Sequence, residues 1–108
     1  MEVSMELDEL TQKLNRETAR IPWSELQRFF AQGKTLRVDS SLDLIQVARA
    51  VVDDDAAKIK QLMQDDLLGQ VDDQQAVAWL EAEASVWAIV SAPWVLVQEE
   101  RPDLEANQ

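Results

Sequence analysis

The sequence predicts an α+β domain, with about five helices packed on a small two- or three-stranded sheet. Apolar residues recur at helical spacing in five stretches bounded by Pro, Gly, Ser or Asp, whereas two other apolar runs, residues 35–38 and 86–98, are rich in Val, Ile and Trp. The third observation is size. With 108 residues, 46% of them hydrophobic, only two Gly and no internal repeat, the chain is expected to form one domain over 1–108, with residues 1–5 and 99–108 frayed.

Leu7, Leu10, Leu14 and Ile21 lie at spacings of 3, 4 and 7, with Glu6, Glu9, Lys13, Arg16 and Glu17 on the opposite side, so a first helix is expected over residues 7–19. Pro22 stops it, because its ring clashes with the preceding turn and it has no N–H. Ser24 followed by Gln27 matches a capping box, and Trp23, Leu26, Phe29 and Phe30 supply the apolar face of a second helix that stops at Gly33. The two helices should form a hairpin.

Leu36 and Val38 alternate with Thr35 and Arg37 as in a half-buried strand. Ser40 and Ser41 offer capping oxygens to a third helix over 42–52, with Asp43 in its first turn. That helix is apolar around most of its girth, which makes it the central, most buried one. After Asp53-Asp54-Asp55, the residues Ala56, Ile59, Leu62, Met63 and Leu67 restart the 3.6 period up to a stop at Gly69. Asp72 and Gln75 resemble another cap, opening a fifth helix over 73–84 with Trp79 at its edge. The 86–98 run is apolar on both faces, as in a strand buried on both sides, and Pro93 marks either a bulge in one bent strand or the corner between two. So few strands need an edge covered by a helix or completed by a second copy of the chain, and a homodimer is expected on that ground.

Composition removes more chemistry than it adds. The chain has no Cys and no His, which excludes a thiolate nucleophile, a Ser-His-Asp triad and an ordinary zinc site; only hard, oxygen-preferring metals would suit it. The formal net charge is −11: residues 1–52 hold 8 acids and 7 bases, residues 53–108 hold 13 acids and 3 bases. Such an acidic half repels phosphate backbones, so no direct nucleic-acid binding is expected. The first twenty residues have no apolar core of a signal or membrane segment, so a cytoplasmic protein without membrane attachment is expected.

Three segments in order carry a resemblance: Trp23-Ser24-Glu25-Leu26-Gln27 running to Gly33, Leu42-Asp43-Leu44-Ile45-Gln46-Val47-Ala48 with Asp53-Asp54, and Pro93-Trp94-Val95-Leu96-Val97-Gln98. Together they resemble a small bacterial family of about this length that is known only as a domain of unknown function. The resemblance covers most of the chain. It implies a bacterial, cytoplasmic, single-domain protein, and it implies no activity, ligand or catalytic residue.

Each candidate site competes with a structural role. Asp53 and Asp54, in the run Asp53-Asp54-Asp55, are weak candidates for holding magnesium, but acids there also suit the start of the next helix, and the run lacks the alternating ligands and glycine of a calcium loop. Asp43, Gln46 and Arg49 form a polar stripe on the apolar third helix; it could line a pocket in which Arg49 takes a carboxylate or phosphate, or Arg49 could pair with Asp53. Among four Trp, Trp23 and Trp87 are expected in the core, and Trp94 beside Pro93 is the one expected to be partly exposed. Trp94, Arg49 and Asp43 are therefore the interaction candidates. No catalytic residue and no cofactor is implied. The expected function is that of a small acidic, non-enzymatic protein-interaction domain whose partner is another protein or a second copy of itself. The alternatives are an acidic mimic of nucleic acid that binds a basic partner, and a magnesium-dependent hydrolase built on Asp clusters.

Overall fold

The structure is a computed structural model; it describes residues 2–100, with side chains from Glu9 onward. Five helices and five strands follow one another as α1 (Glu2–Glu17), β1 (Ala19–Pro22), a 3₁₀ turn (Trp23–Leu26), α2 (Gln27–Ala31), β2 (Thr35–Val38), α3 (Leu44–Val52), α4 (Ala56–Gln64), β3 (Leu68–Gln70), α5 (Asp73–Glu81), β4 (Ser85–Ser91) and β5 (Trp94–Gln98). The α+β class is as expected, but the sheet has five strands, in the order β1-β4-β5-β2-β3. All neighbours are antiparallel except β2 and β5, which run parallel with Leu36 opposite Leu96.

The two additional strands are the ones whose sequences lack a strand signal. β1 replaces the end of the expected first helix and the hairpin loop. Thr18 closes α1 by donating its hydroxyl to the Leu14 carbonyl at 2.7 Å, and Ala19–Pro22 then pairs with Ser85–Ala88 as an edge strand in which only Ile21 is half-buried. Its terminal Pro22 is tolerated because an edge strand leaves one row of N–H groups outside the ladder. β3 is only three residues long and begins where Gly69 had suggested a helix stop. The capping box is also absent: Ser24 makes no cap, and Gln27 Nε2 donates instead to the Trp23 carbonyl at 3.3 Å.

Alternation along β4 and β5 divides the core into two halves, one on each face of the sheet. On one face Leu36, Val38, Ile89 and Leu96 meet Leu14 of α1 and Leu44, Ile45, Val47 and Ala48 of α3, with Ile59 and Leu62 of α4 alongside. On the other, Val86, Ala88, Val95 and Val97 meet Trp23 and Leu26 of the 3₁₀ turn and Ala76 and Trp79 of α5. The expected α1–α2 hairpin is thus replaced by a crossing: β1 carries the chain from one face to the other. α3 is the central helix as anticipated, with five of its nine residues buried.

Trp79 is not at an edge. It is 4% exposed, stacks edge-on against Trp23 at 5.0 Å between centroids, and donates its indole N–H to Glu99 Oε1 at 2.7 Å. Trp23 is fully buried as expected, while Trp87 is only partly so, with the Arg20 guanidinium 6.0 Å from its ring. Pro93 lies in the turn between two strands: Ser91 pairs with Trp94 across the cis Ala92–Pro93 bond. Of the residues expected to fray, 1–5 and 99–108, residues 2–5 belong to α1 and Glu99 accepts the Trp79 indole N–H, while residues 1 and 101–108 lie outside the described residues.

One device ends four helices. After α2, α3, α4 and α5 a residue with positive φ (Gly33, Asp54, Asp66, Glu83) donates to the carbonyl three residues back, and the next residue donates to the one five back, as in Ala84 N–H to Trp79 O at 2.9 Å. Only one of the four is glycine. Asp43, Asp55 and Asp72 begin the following helices by accepting from Ile45, Lys58 and Gln75 N–H at 2.9, 3.2 and 2.7 Å. Asp43 is therefore the cap itself. Ser41, expected as a cap, instead donates its N–H (3.0 Å) and its hydroxyl to Asp39 Oδ2.

Two predictions follow from these ends. Glu83→Gly relieves a positive-φ side chain and should stabilise the fold by about 1 kcal/mol in urea denaturation, since the left-handed region costs most residues roughly that much more than it costs glycine. The two Ser41 hydrogen bonds hold the Asp39 carboxyl below its usual value, with the nearby Arg37 guanidinium adding to the effect. A lowered folded-state value stabilises above the ordinary carboxyl range and is lost as pH falls through it. Ser41→Ala should therefore destabilise at neutral pH, and its difference from the wild type should shrink below about pH 4.

Candidate functional site

A largely apolar groove of about 710 Å³ lies at one end of the sheet, between the α3–α4 corner and the β4–β5 turn. Its floor is Leu36, from a strand flanked on both sides. One wall comes from Ala50 and Val51 of α3 and from Ala56, Ile59 and Met63 of α4; the other is Ala92, Pro93 and Trp94. Asp54, Asp55, Lys60 and Gln64 supply its polar positions.

Local sequence explains each part. Asp54 in the left-handed position turns the chain out of α3, and Asp55 caps α4 at once, so the two helices meet at a tight corner and leave a recess in front of it. The helix spacing of Ala56, Ile59 and Met63 puts all three on the recess side of α4. Met63 remains 45% exposed, because the apolar stripe of α4 is wider than the part of the sheet it covers. The two-residue turn at Ala92–Pro93 brings Trp94 back beside Leu36, where it is half-buried.

The predicted candidates do not converge. Trp94 lines the groove and is partly exposed, as expected, and Asp54 lines it as well. Asp43 lies at the opposite end of α3 and serves as its cap. Arg49 faces α1, where its guanidinium reaches Thr11 Oγ1 at 3.5 Å, and it lies 4.0 Å from Asp53 Oδ2 just past the end of α3, while Asp43 and Gln46 are exposed to solvent. Among the described residues no three acidic side chains come together to hold a metal ion. Sequence reasoning missed Met63 and Ala92 as site residues. The available signal was in α4, where Leu62 and Met63 are adjacent apolar residues that cannot both face the same core.

The fold and the groove define a small domain with helices on both faces of one mixed sheet and a single-ended apolar recess whose polar groups are two carboxylates, an ammonium and an amide. The chain belongs to the family described as "Protein of unknown function (DUF2288)", which it matches over residues 9–99. It is also similar to PA1075 from Pseudomonas aeruginosa, whose solution NMR structure shares 45% sequence identity over 84% of each chain, with a TM-score of 0.74. No curated protein matches the chain. No helix among the described residues is long and apolar enough to cross a membrane.

The acidic run has a test of its own. The Arg49–Asp53 pair is long and its Asp is half-exposed, so Asp53→Asn should change stability by less than about 0.5 kcal/mol. Millimolar magnesium should shift the melting temperature equally in wild type and variant; a shift that Asp53→Asn removes would restore the metal reading.

Proposed function

We propose that this protein is a non-enzymatic protein-interaction domain of the bacterial cytoplasm and that its docking surface is the groove beside Trp94. One observation carries the reading: a recess of about 710 Å³, lined mostly by apolar side chains including a half-buried Trp and a 45% exposed Met, in a chain without Cys or His. Aromatic and Met side chains in a partly enclosed apolar site are the residue types that anchor partners. The absence of Cys from the sequence suits a reducing compartment.

The alternatives have less support. A nucleic-acid mimic needs carboxylates set out as a phosphate-like array, whereas Asp43, Asp55 and Asp72 sit at the starts of three different helices and Asp54 and Asp66 in two helix-ending turns. A hydrolase on the Asp run needs further acids to converge on it, and the described residues bring no such group together.

Photo-crosslinking tests the proposal. A photoreactive residue replacing Met63 should give a discrete protein adduct in cells, and Ala56→Trp, which fills the groove from an exposed position at the start of α4, should abolish it. The same label at Gln74 on α5, across the sheet, should give none. Equal adducts from both positions, or none from position 63, would refute the groove as the docking surface.

A further inference from the structure

The groove also restricts what can occupy it, and here the argument rests on the proposal that it is a docking surface. Backbone pairing comes first. Leu36 is flanked by β5 and β3, and Trp94 pairs with Ser91 of β4, so among the described residues no open strand edge lines the groove. At the corner, Asp53, Asp54 and Asp55 N–H already engage the Arg49, Val51 and Ala50 carbonyls at 2.8, 3.1 and 2.9 Å. A segment entering the groove therefore finds no row of donors and acceptors for an extended backbone, and a buried backbone must satisfy its own hydrogen bonds. A helix does so, and it presents apolar side chains at i, i+3 or i+4, and i+7 to such a groove.

Charge comes second. The lining carries two carboxylates, Asp54 and Asp55, against one ammonium, Lys60, within a chain of net charge −11. Asp53, 55% exposed, lies beside them on the same corner. A second copy would bring the same acidic rim and another −11 to the contact. A cationic partner gains long-range attraction and pairs with the rim outside the desolvated centre, where carboxylates retain their hydration.

We propose that the groove binds a cationic amphipathic helix of a partner protein, with its apolar stripe against Leu36, Met63 and Trp94 and Lys or Arg residues flanking that stripe over Asp54 and Asp55. The proposal is tested by selecting from a displayed library of amphipathic helices that have a fixed apolar stripe and randomised flanking positions. Wild-type protein is the bait, and each selected sequence is re-measured as a free peptide against Ala56→Trp and Asp54→Asn. The enriched peptides should carry Lys and Arg at the flanks and should lose binding to Ala56→Trp. They should bind Asp54→Asn several-fold more weakly and weaken about tenfold or more from low to high salt. Asn tolerates the left-handed backbone of position 54, so that variant isolates the charge.

Neutral or acidic peptides that still depend on an open groove would overturn the cationic partner and leave the docking surface standing. Enrichment that is indifferent to Ala56→Trp would overturn both. Sedimentation equilibrium of the free protein covers the remaining occupant: a dimer that Ala56→Trp dissociates would place a second copy in the groove and refute the proposal, whereas a monomer at high micromolar concentration agrees with it.

Discussion

The constraint on which the rest of this structure depends is the burial of β5 on both faces and both edges. Val95, Leu96, Val97 and Gln98 are each at most 2% exposed, so every backbone group along the strand must pair within the chain. The pairing comes from β4, which precedes it across a two-residue turn, and from β2, almost sixty residues away and parallel. Both flanks are required at once, and two layers of helices must cover the faces. Gln98 shows how tightly this is arranged: its buried amide donates to the Asp39 and Leu42 carbonyls at 2.9 and 2.7 Å and so ties the end of β5 to the loop that starts α3. Fully burying a Val or Leu contributes about 1.5–3 kcal/mol, so the alternating Trp94–Gln98 segment stabilises two cores with one strand.

The groove is a by-product of that arrangement. The sheet extends as far as the Ala92–Pro93 turn on one side of its centre, while the α3–α4 corner is short because a left-handed Asp and a capping Asp follow each other directly. The helices therefore stop short of covering the end of the sheet. An unfilled apolar recess loses the van der Waals partners that close packing supplies, and a surface that combines such a recess with an aromatic side chain is suited to gain from a partner. The same acids that turn the chain also set the sign of the rim.

A self-sufficient sheet changes the view of association. The expectation of a homodimer rested on a sheet of two or three strands with edges to complete. The described residues supply five, and the outer strands are short: β1 has four residues and ends in Pro22, and β3 has three. Short edges interrupted by Pro are common means of limiting edge-to-edge pairing. An incomplete sheet is thus no longer a ground for expecting a second copy.

Much of the fold was legible in the sequence, because helices and doubly buried strands leave strong local signals. The period of α3, the Asp72 cap of α5, the Thr35–Val38 strand and the apolar 86–98 run all describe interactions within a few residues or burial on every side. β1 and β3 left no such signal, since a four-residue edge strand with one half-buried side chain has no period to read, and Leu-Gly-Gln looks like a helix stop. Trp94 as a partly exposed residue was also legible, from its place beside Pro93. What the sequence by itself determined is the approximate places of the helices, the Asp72 cap and the central strands, for these depend on nearest-neighbour hydrogen bonds and on hydrophobic periodicity. Only the tertiary structure decided that Arg49 faces α1, that Trp79 is core, and that Met63, Ala92 and Trp94 meet across a groove, because those outcomes depend on which surfaces residues far apart in the chain leave uncovered.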